Sequence, residues 1–170
     1  KKRYLLGGGH LKCHVGFGDE FDKLWKKASV NYPFCAVRNS RFLNWRFTNN
    51  PLKKYAVYSL HMRGEMEAYV VISVNGREAA IVDILSVKTN KIINRLVKKV
   101  ADVLGRDGIK TIKTWLSENH FISDALLKSG FVRQDEPLGI IPTGRSFDEK
   151  LDIGFVSDNI FYTMADGDLF

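Results

Sequence analysis

The stretch from Ala79 to Leu116 limits the possible folds more than any other part of the chain. Ala79–Ser86 is a short and almost wholly apolar run, which is typical of a buried strand. Asn90–Leu104 carries apolar residues at helical spacing, and Ile109–Leu116 returns to a strand pattern. This order predicts a right-handed crossover that joins two parallel strands.

An antiparallel meander is predicted just upstream. Tyr55–His61 and Glu67–Val74 alternate apolar and polar residues and are rich in β-branched and aromatic side chains. Arg63-Gly64-Glu65 lies between them as a hairpin turn, and Asn75-Gly76 is a strong turn signal before the next strand. These three strands should therefore be neighbours in one sheet.

Helices and weaker strands complete the chain. Helices are predicted at Phe21–Ser29, Asn39–Phe47 and Phe121–Ser129, the last with Gly130 at its C-terminal cap. In the second helix, three residues are expected to face inward: Phe42, Leu43 and Trp45. Weaker strands are predicted at Phe131–Val132, Leu138–Ile141 and Ile160–Met164. The predicted class is α/β: a mixed, mostly antiparallel central sheet with one parallel crossover and helices on both faces.

Length and composition describe one basic domain. The chain has 170 residues, enough for about one domain. We interpret residues 1–17, with their Gly7-Gly8-Gly9 run, as a linker or tail, and 18–170 as the domain, consistent with a C-terminal part of a larger protein. No apolar run reaches the ~20 residues of a membrane span. The two cysteines form no metal or disulfide pattern, so a reducing, cytoplasmic location is expected.

The formal charge of +7 favours an anionic partner. The basic residues are dispersed in pairs such as Lys26-Lys27 and Lys98-Lys99, and they form no stripe. A dedicated nucleic-acid-binding module is therefore not favoured.

This order of elements resembles the GNAT superfamily of acyl-CoA-dependent N-acyltransferases. Val87 follows its strand as a valine does after the fourth strand of that superfamily. The segment from Ala125 to Phe131, ALLKSGF, is similar to the superfamily's fourth helix, which ends in Gly-Phe. FLNWRF at 42–47, followed by Asn50-Pro51 and Tyr55, resembles poorly characterised bacterial GNAT-like proteins. The resemblance covers about residues 18–165 and implies a GNAT fold, acyl transfer to an amine, and acetyl-CoA or another acyl-CoA as cofactor.

Two departures from the superfamily pattern concern the cofactor and the proton donor. GNAT proteins carry a glycine-rich loop for the pyrophosphate of coenzyme A, whereas Ser86–Lys91 contains no glycine. Backbone groups and side chains at six positions are the expected substitute for that loop: Leu85, Ser86, Val87, Lys88, Asn90 and Lys91. Many members also place a tyrosine acid where this chain has Leu126, and Tyr162 is the nearest candidate to replace it.

Asp83 lies inside the apolar strand and is the candidate general base. In acyl transfer to an amine, a base must remove the ammonium proton before attack. The alternative is a structural carboxylate that a neighbouring arginine or backbone amides satisfy.

Glu118, Asn119 and His120 follow the strand that ends at Leu116, at the sheet edge where α/β proteins bind ligands. His120 is a candidate proton shuttle, with Glu118 and Asn119 near the acceptor amine. The alternative is that this segment only caps the next helix. Arg46 is a candidate for binding a substrate anion, or else pairs with an acid while Trp45 and Phe47 are core residues. The remaining histidines form no ligand pattern with His120, so no metal is predicted.

Two functions from different classes remain open. The first is an N-acyltransferase domain with a small-molecule or polymeric amine as acceptor. The second is a non-catalytic, degenerate GNAT-like domain that binds a substrate or a partner, such as an upstream GNAT-like domain of the same chain.

Overall fold

A computed structural model describes residues 9–87, 89–135 and 143–167. Five strands form one sheet in the order β1-β2-β3-β4-β5. They are β1 (His10–His14), β2 (Ala56–Met62), β3 (Glu65–Asn75), β4 (Glu78–Ser86) and β5 (Thr111–Thr114). The first four strands pair antiparallel and β4 pairs with β5 in parallel. The predicted mixed sheet with one parallel crossover is therefore confirmed.

The helices are α1 (Asp19–Ala28), α2 (Ser40–Leu43, continued as one π-helical turn, Asn44–Thr48), α3 (Asn90–Arg106), α4 (Phe121–Lys128) and α5 (Ile153–Asn159). Single 3₁₀ turns lie at Ser29–Asn31 and Met164–Asp166. None of the helices in the described ranges is long and apolar enough to cross a bilayer.

Consecutive residues of β2 show that α1 and α3 cover opposite faces of the sheet. His61 points toward Glu20 of α1, and Met62 accepts a weak hydrogen bond from Arg95 of α3. Successive side chains of a strand point to opposite faces. The core lies on both sides of β3 and β4, whose central residues are almost completely buried.

The turns and the ends of the helices follow the sequence signals closely. Arg63 and Gly64 both have positive φ in the β2–β3 turn, and Gly76 has φ +59° in the next turn. Gly130 follows α4 with φ +97°, and its N–H donates to the carbonyl of Leu127 at 3.1 Å. Thr89 is the N-cap of α3, and Asn90 is already helical.

Four expectations were wrong. The linker assignment fails for His10–His14, which forms the edge strand β1. Phe131–Val132 is not a strand, and Ile160–Met164 makes only isolated bridges through Ile160 and Thr163. Trp45 is not a core residue, because 67% of its surface is exposed on the outer side of the π-helical turn. The strand predicted at Leu138–Ile141 lies outside the described residues.

Candidate functional site

The parallel strands β4 and β5 pair over four residues and then separate. Glu78 to Ile81 pair with Thr111 to Thr114. Beyond this point, residues 82–86 of β4 have no strand on that side within the described ranges. Helix α3 begins at Asn90, directly beyond the same end of β4. We call the space between the separated ends the β4–β5 gap; it lies where open α/β sheets bind ligands.

The backbone of Ser86 faces this gap. The N–H of Val87 donates to the carbonyl of Glu67 on β3 at 3.1 Å. Because successive residues of a strand direct their backbone groups to opposite sides, the N–H and C=O of Ser86 point away from β3, toward β5. Ser86 has no exposed surface.

Tyr32 satisfies both backbone groups of Ser86 with one hydroxyl. The Tyr32 hydroxyl donates to the carbonyl of Ser86 at 2.8 Å and accepts from its N–H at 3.0 Å. Burial raises the pKa of Tyr32 far above its usual value, so the hydroxyl stays protonated and keeps both roles. A side chain therefore takes the place that a neighbouring strand would have.

Aromatic rings surround Tyr32, and His120 is one of them. The Tyr32 ring lies 4.9 Å from His120, 5.7 Å from Phe121 and 5.0 Å from Phe161, between centroids. His120 is also the N-cap of α4, and its Nδ1 accepts from the N–H of Ile122 at 3.3 Å. The cap of α4 is thus His120, where the sequence suggested Ser117 or Asn119, and it lies next to the group that occupies the gap.

Asp83 is completely buried and is held by three side chains. Arg38 Nε and the Thr163 hydroxyl donate to its Oδ1 at 3.1 and 2.9 Å, and the Tyr69 hydroxyl donates to its Oδ2 at 2.6 Å. Arg38 also pairs with Asp166. The surroundings of Asp83 are those of the structural alternative, a carboxylate satisfied by an arginine, and no face of it is open to a substrate amine.

The charges of this network reinforce one another. Burial alone would lower the pKa of Arg38, but Asp83 and Asp166 outweigh that effect and raise it. The pKa of Tyr69 is raised well above its usual value, first by burial and then by the charge of Asp83. Arg38 therefore remains charged and Tyr69 remains a hydrogen-bond donor at any physiological pH.

Arg46 holds the end of the described chain. Its Nε donates to the carbonyl of Ala165 at 2.8 Å, and its Nη2 donates to the carbonyl of Gly167 at 2.6 Å. Phe47 is buried as expected. The side chain of Arg46 is therefore engaged in fixing the turn at 164–167.

Glu118 and Tyr162 line an open groove, unlike the completely buried Asp83. Glu118 is exposed and forms an ion pair with Arg133. The pKa of Tyr162 is raised by burial and then by the charge of Glu118, and its ring lies 5.3 Å from Trp115. Asn119 is exposed. Glu118, Arg133, Trp115 and Tyr162 line this open groove of about 1290 Å³ between α3, β5 and α4, whereas Asn119 does not.

The predicted cofactor residues divide into two groups. Leu85 and Ser86 are buried at the end of β4, whereas Val87, Asn90 and Lys91 lie at or near the start of α3. The first turn of α3 carries no acidic residue, so its positive end is not neutralised by its own side chains. Lys88 lies outside the described residues.

Sequence reasoning missed Tyr32, Arg38 and Thr163. Tyr32 and Arg38 precede α2, outside every predicted element. Thr163 lies inside the predicted strand Ile160–Met164, but nothing in that pattern marks it as a partner of Asp83. The one available signal was indirect, since a carboxylate inside an apolar strand requires a buried cationic partner.

Comparison with known proteins shows the fold. No family model and no curated protein matches the chain. Among solved structures, the ribosomal-protein-S18-alanine N-acetyltransferase from Escherichia coli superposes with a TM-score of 0.52 and 14% identity over 71% of this chain and 77% of that one. The aminoglycoside acetyltransferase meta-AAC0020, from an uncultured soil metagenomic sample and in complex with sisomicin, superposes with a TM-score of 0.53. Its sequence identity is 12%, over 79% of this chain and 97% of that one. Wild-type TTHA1254 from Thermus thermophilus superposes with a TM-score of 0.52 and 13% identity, over 79% of this chain and 99% of that one. The chain has the GNAT fold.

Proposed function

We propose that this domain binds an acyl-CoA in the β4–β5 gap and transfers the acyl group to an amine. The observation that carries the proposal is the backbone of Ser86, which faces the gap and is paired by a single hydroxyl. The fold supports the proposal, because two of the similar structures are N-acetyltransferases.

The chemistry of the gap suits an extended ligand with amide groups. Each amide of the pantetheine arm of coenzyme A offers one donor and one acceptor, and the Tyr32 hydroxyl offers the same pair to Ser86. Such an arm could add to the open side of β4 as a strand does. The N-terminus of α3 and Lys91 lie beyond Ser86, where they would attract the phosphates.

Roles for the remaining candidates follow from their positions. His120 lies next to Tyr32, and we propose it for proton transfer at the gap. Asp83 would act as a positioning residue, since its network joins β4 to Arg38 and to Thr163. Glu118 and Tyr162 line the groove beyond β5, and we propose this groove for the acceptor amine. We propose Asn119, which is exposed and follows Glu118, for contact with the same acceptor.

A second candidate is a non-catalytic domain, and specific observations favour it. Tyr32 is 4% exposed and lies among packed rings. A ligand that displaced its hydroxyl from Ser86 would therefore cost both ring packing and hydrogen bonds. No glycine lies between Ser86 and Asn90 to admit a phosphate close to the backbone. In this case the domain would bind a substrate or a partner domain without acyl transfer.

Calorimetry with acetyl-CoA and with CoA separates the two candidates. The wild-type chain should bind both, and a ligand at 100 times its Kd should stabilise the chain by about 2.7 kcal/mol. Tyr32→Phe removes the competing hydroxyl and should bind more tightly, whereas Tyr58→Phe on β2 is the matched control and should bind like wild type. If millimolar acetyl-CoA gives no heat of binding and raises the melting temperature of none of the three chains, the acyl-CoA proposal is wrong and the non-catalytic candidate remains.

A further inference from the structure

A cluster of histidines lies far from the β4–β5 gap, where β1, β2 and α1 meet. We define the histidine cluster by six residues: His10, Lys12 and His14 of β1, Glu20 of α1, and Ser59 and His61 of β2. On β1 the three residues alternate, so their side chains share the face toward α1. In the described ranges, no group of three or more His, Cys, Asp or Glu side chains is arranged to hold a metal ion.

The centre of the cluster is a chain of hydrogen bonds through Ser59. Its Oγ lies 2.6 Å from Nε2 of His14 and 2.9 Å from Nε2 of His61. On the other side of the first ring, His14 Nδ1 lies 3.2 Å from Oε1 of Glu20. Ser59 has no exposed surface, and the side chains of His14 and His61 are 6% and 8% exposed. Water is therefore largely excluded from these bonds.

The number of protons on the two histidine rings determines whether every donor and acceptor in this row of hydrogen bonds has a partner. With both rings neutral, His14 donates from Nδ1 to Glu20 and accepts at Nε2 from Ser59, which in turn accepts from Nε2 of His61. One added proton can be accommodated: His14 then donates at Nε2, and the Ser59 hydroxyl turns to donate to His61 in its other tautomer. With two added protons both rings donate to Ser59, and neither ring can accept its hydrogen.

We propose that the hydrogen bonds of His14, Ser59 and His61 form a pH-sensitive lock on β1. The lock keeps β1 paired with β2 when one proton is added and releases β1 when the second is added. The second proton would leave a buried hydroxyl hydrogen without its acceptor and place two cationic rings 6.4 Å apart. The single carboxylate of Glu20 cannot neutralise both rings together with Lys12, which it already binds at 2.9 Å.

The charged groups near the two rings shift the pKa values of His14 and His61 in opposite directions, some upward and others downward. The pKa of His14 is lowered first by burial and further by Lys12 and His61, while Glu20 raises it. The pKa of His61 is lowered first by burial and further by His10 and Lys12, while Glu20 and a hydrogen bond to the Gly64 backbone raise it. For both histidines the net direction is below the ordinary value of 6.5. Stability from these groups is therefore complete above pH 6.5 and is lost as the pH falls below it.

β1 is the element that this lock would release. It is the outer strand of the sheet, and within the described ranges it pairs only with β2. His10 stacks on His61 at 5.1 Å, and Lys12 lies opposite Ser59 in the register, so protonation acts directly on the strand's contacts. Opening would expose the edge of β2 in mildly acidic conditions.

NMR on the intact chain tests this proposal in two ways. Imidazole titrations should show His14 and His61 taking up protons in two steps more than one pH unit apart, with neutral His14 protonated at Nδ1. Amide exchange should show the protection of β1 falling at least tenfold between pH 7.5 and 5, while the protection of β3 and β4 is maintained. A single shared pKa near 6.5, or unchanged protection of β1 at pH 5, would overturn the proposal.

Two variants separate the lock from general acid sensitivity. His61→Gln keeps a donor and an acceptor beside Ser59 but leaves one titrating ring, so β1 should stay protected at pH 5. His10→Gln removes an exposed histidine outside the hydrogen-bonded chain, and its β1 should open nearly as in wild type. If β1 loses its amide protection at pH 5 as readily in His61→Gln as in His10→Gln, the proposed lock is wrong. If His61→Gln does not fold, the wild-type titration decides.

Discussion

The two halves of β4 are held in different ways. The first half, Glu78 to Ile81, has a strand on each side, β3 and β5. The second half, residues 82–86, pairs with β3 from Asp83 to Ser86, and on its other side the Tyr32 side chain bonds to the backbone of Ser86. Tyr32 supplies there the backbone contacts that a strand would have made, while Arg38 and Thr163 hold the side chain of Asp83.

This difference shows where the chain depends on particular residues. Ladder hydrogen bonds come from the backbone, and almost any residue can make them. The second half instead relies on individual side-chain groups, the hydroxyls of Tyr32 and Thr163 and the guanidinium of Arg38. We therefore expect the first half to tolerate substitution and the second half to be sensitive to it.

The largest effect should come from Arg38→Met. This variant removes the cation beside Asp83 and leaves a buried carboxylate, which should cost about 3–5 kcal/mol of unfolding free energy. Urea denaturation followed by circular dichroism measures the loss. In the control, Arg38→Met is combined with Asp83→Leu, which removes the buried charge and should restore much of the stability. A loss below about 1 kcal/mol in the single variant would mean that the second half is not held by this pair.

A smaller loss is expected for Tyr32→Phe. The ring packing is retained, but the N–H and C=O of Ser86 lose their partner, which should cost about 1–3 kcal/mol. Thermal unfolding without ligand measures the change, and Tyr58→Phe is again the control. If acetyl-CoA then restores the melting temperature of Tyr32→Phe to that of wild type, the ligand has taken the place of the hydroxyl. A melting temperature equal to wild type without ligand would show that water satisfies Ser86.

The smallest effect is expected in the first half, for Lys113→Gln. This substitution breaks the ion pair with Glu78, in which both side chains are more than half exposed. Exposed pairs contribute at most about 1 kcal/mol, and salt screens them. Denaturation at low and at high salt should show a small difference between variant and wild type that disappears at high salt. A loss as large as that of Arg38→Met would contradict the proposed division of β4.

The sequence allowed most of the sheet to be predicted, because its central elements have a clear period. The meander and the crossover carry long runs of alternating or helical pattern, and the turns contain their usual residues. The edge strand β1 escaped detection because HLKCH is short, polar and largely exposed. Helix α5 escaped because its seven residues bury no side chain and include a glycine.

The candidate site could be predicted only in part. Asp83 was identified because a carboxylate inside an apolar strand is unusual, and an arginine partner was among the alternatives. Which arginine it would be could not be read from the sequence, since Arg38 lies 45 residues away in a loop. The role of Tyr32 depends on where the strands separate, and that point is set by tertiary packing.

The contacts that Arg38 and Asp83 make with the turn at 163–167 have a consequence for synthesis of the chain. Arg38 and its partner Asp166 are 128 residues apart, which at about 5–20 residues per second corresponds to roughly 6–26 s on the ribosome. Once Thr114 has been made every strand of the sheet is present, but Asp83 still lacks the Thr163 hydroxyl and Arg38 still lacks one of its two carboxylates. The nascent domain therefore completes its most deeply buried charges last, and truncation before Thr163 should yield a chain that collapses without reaching native stability.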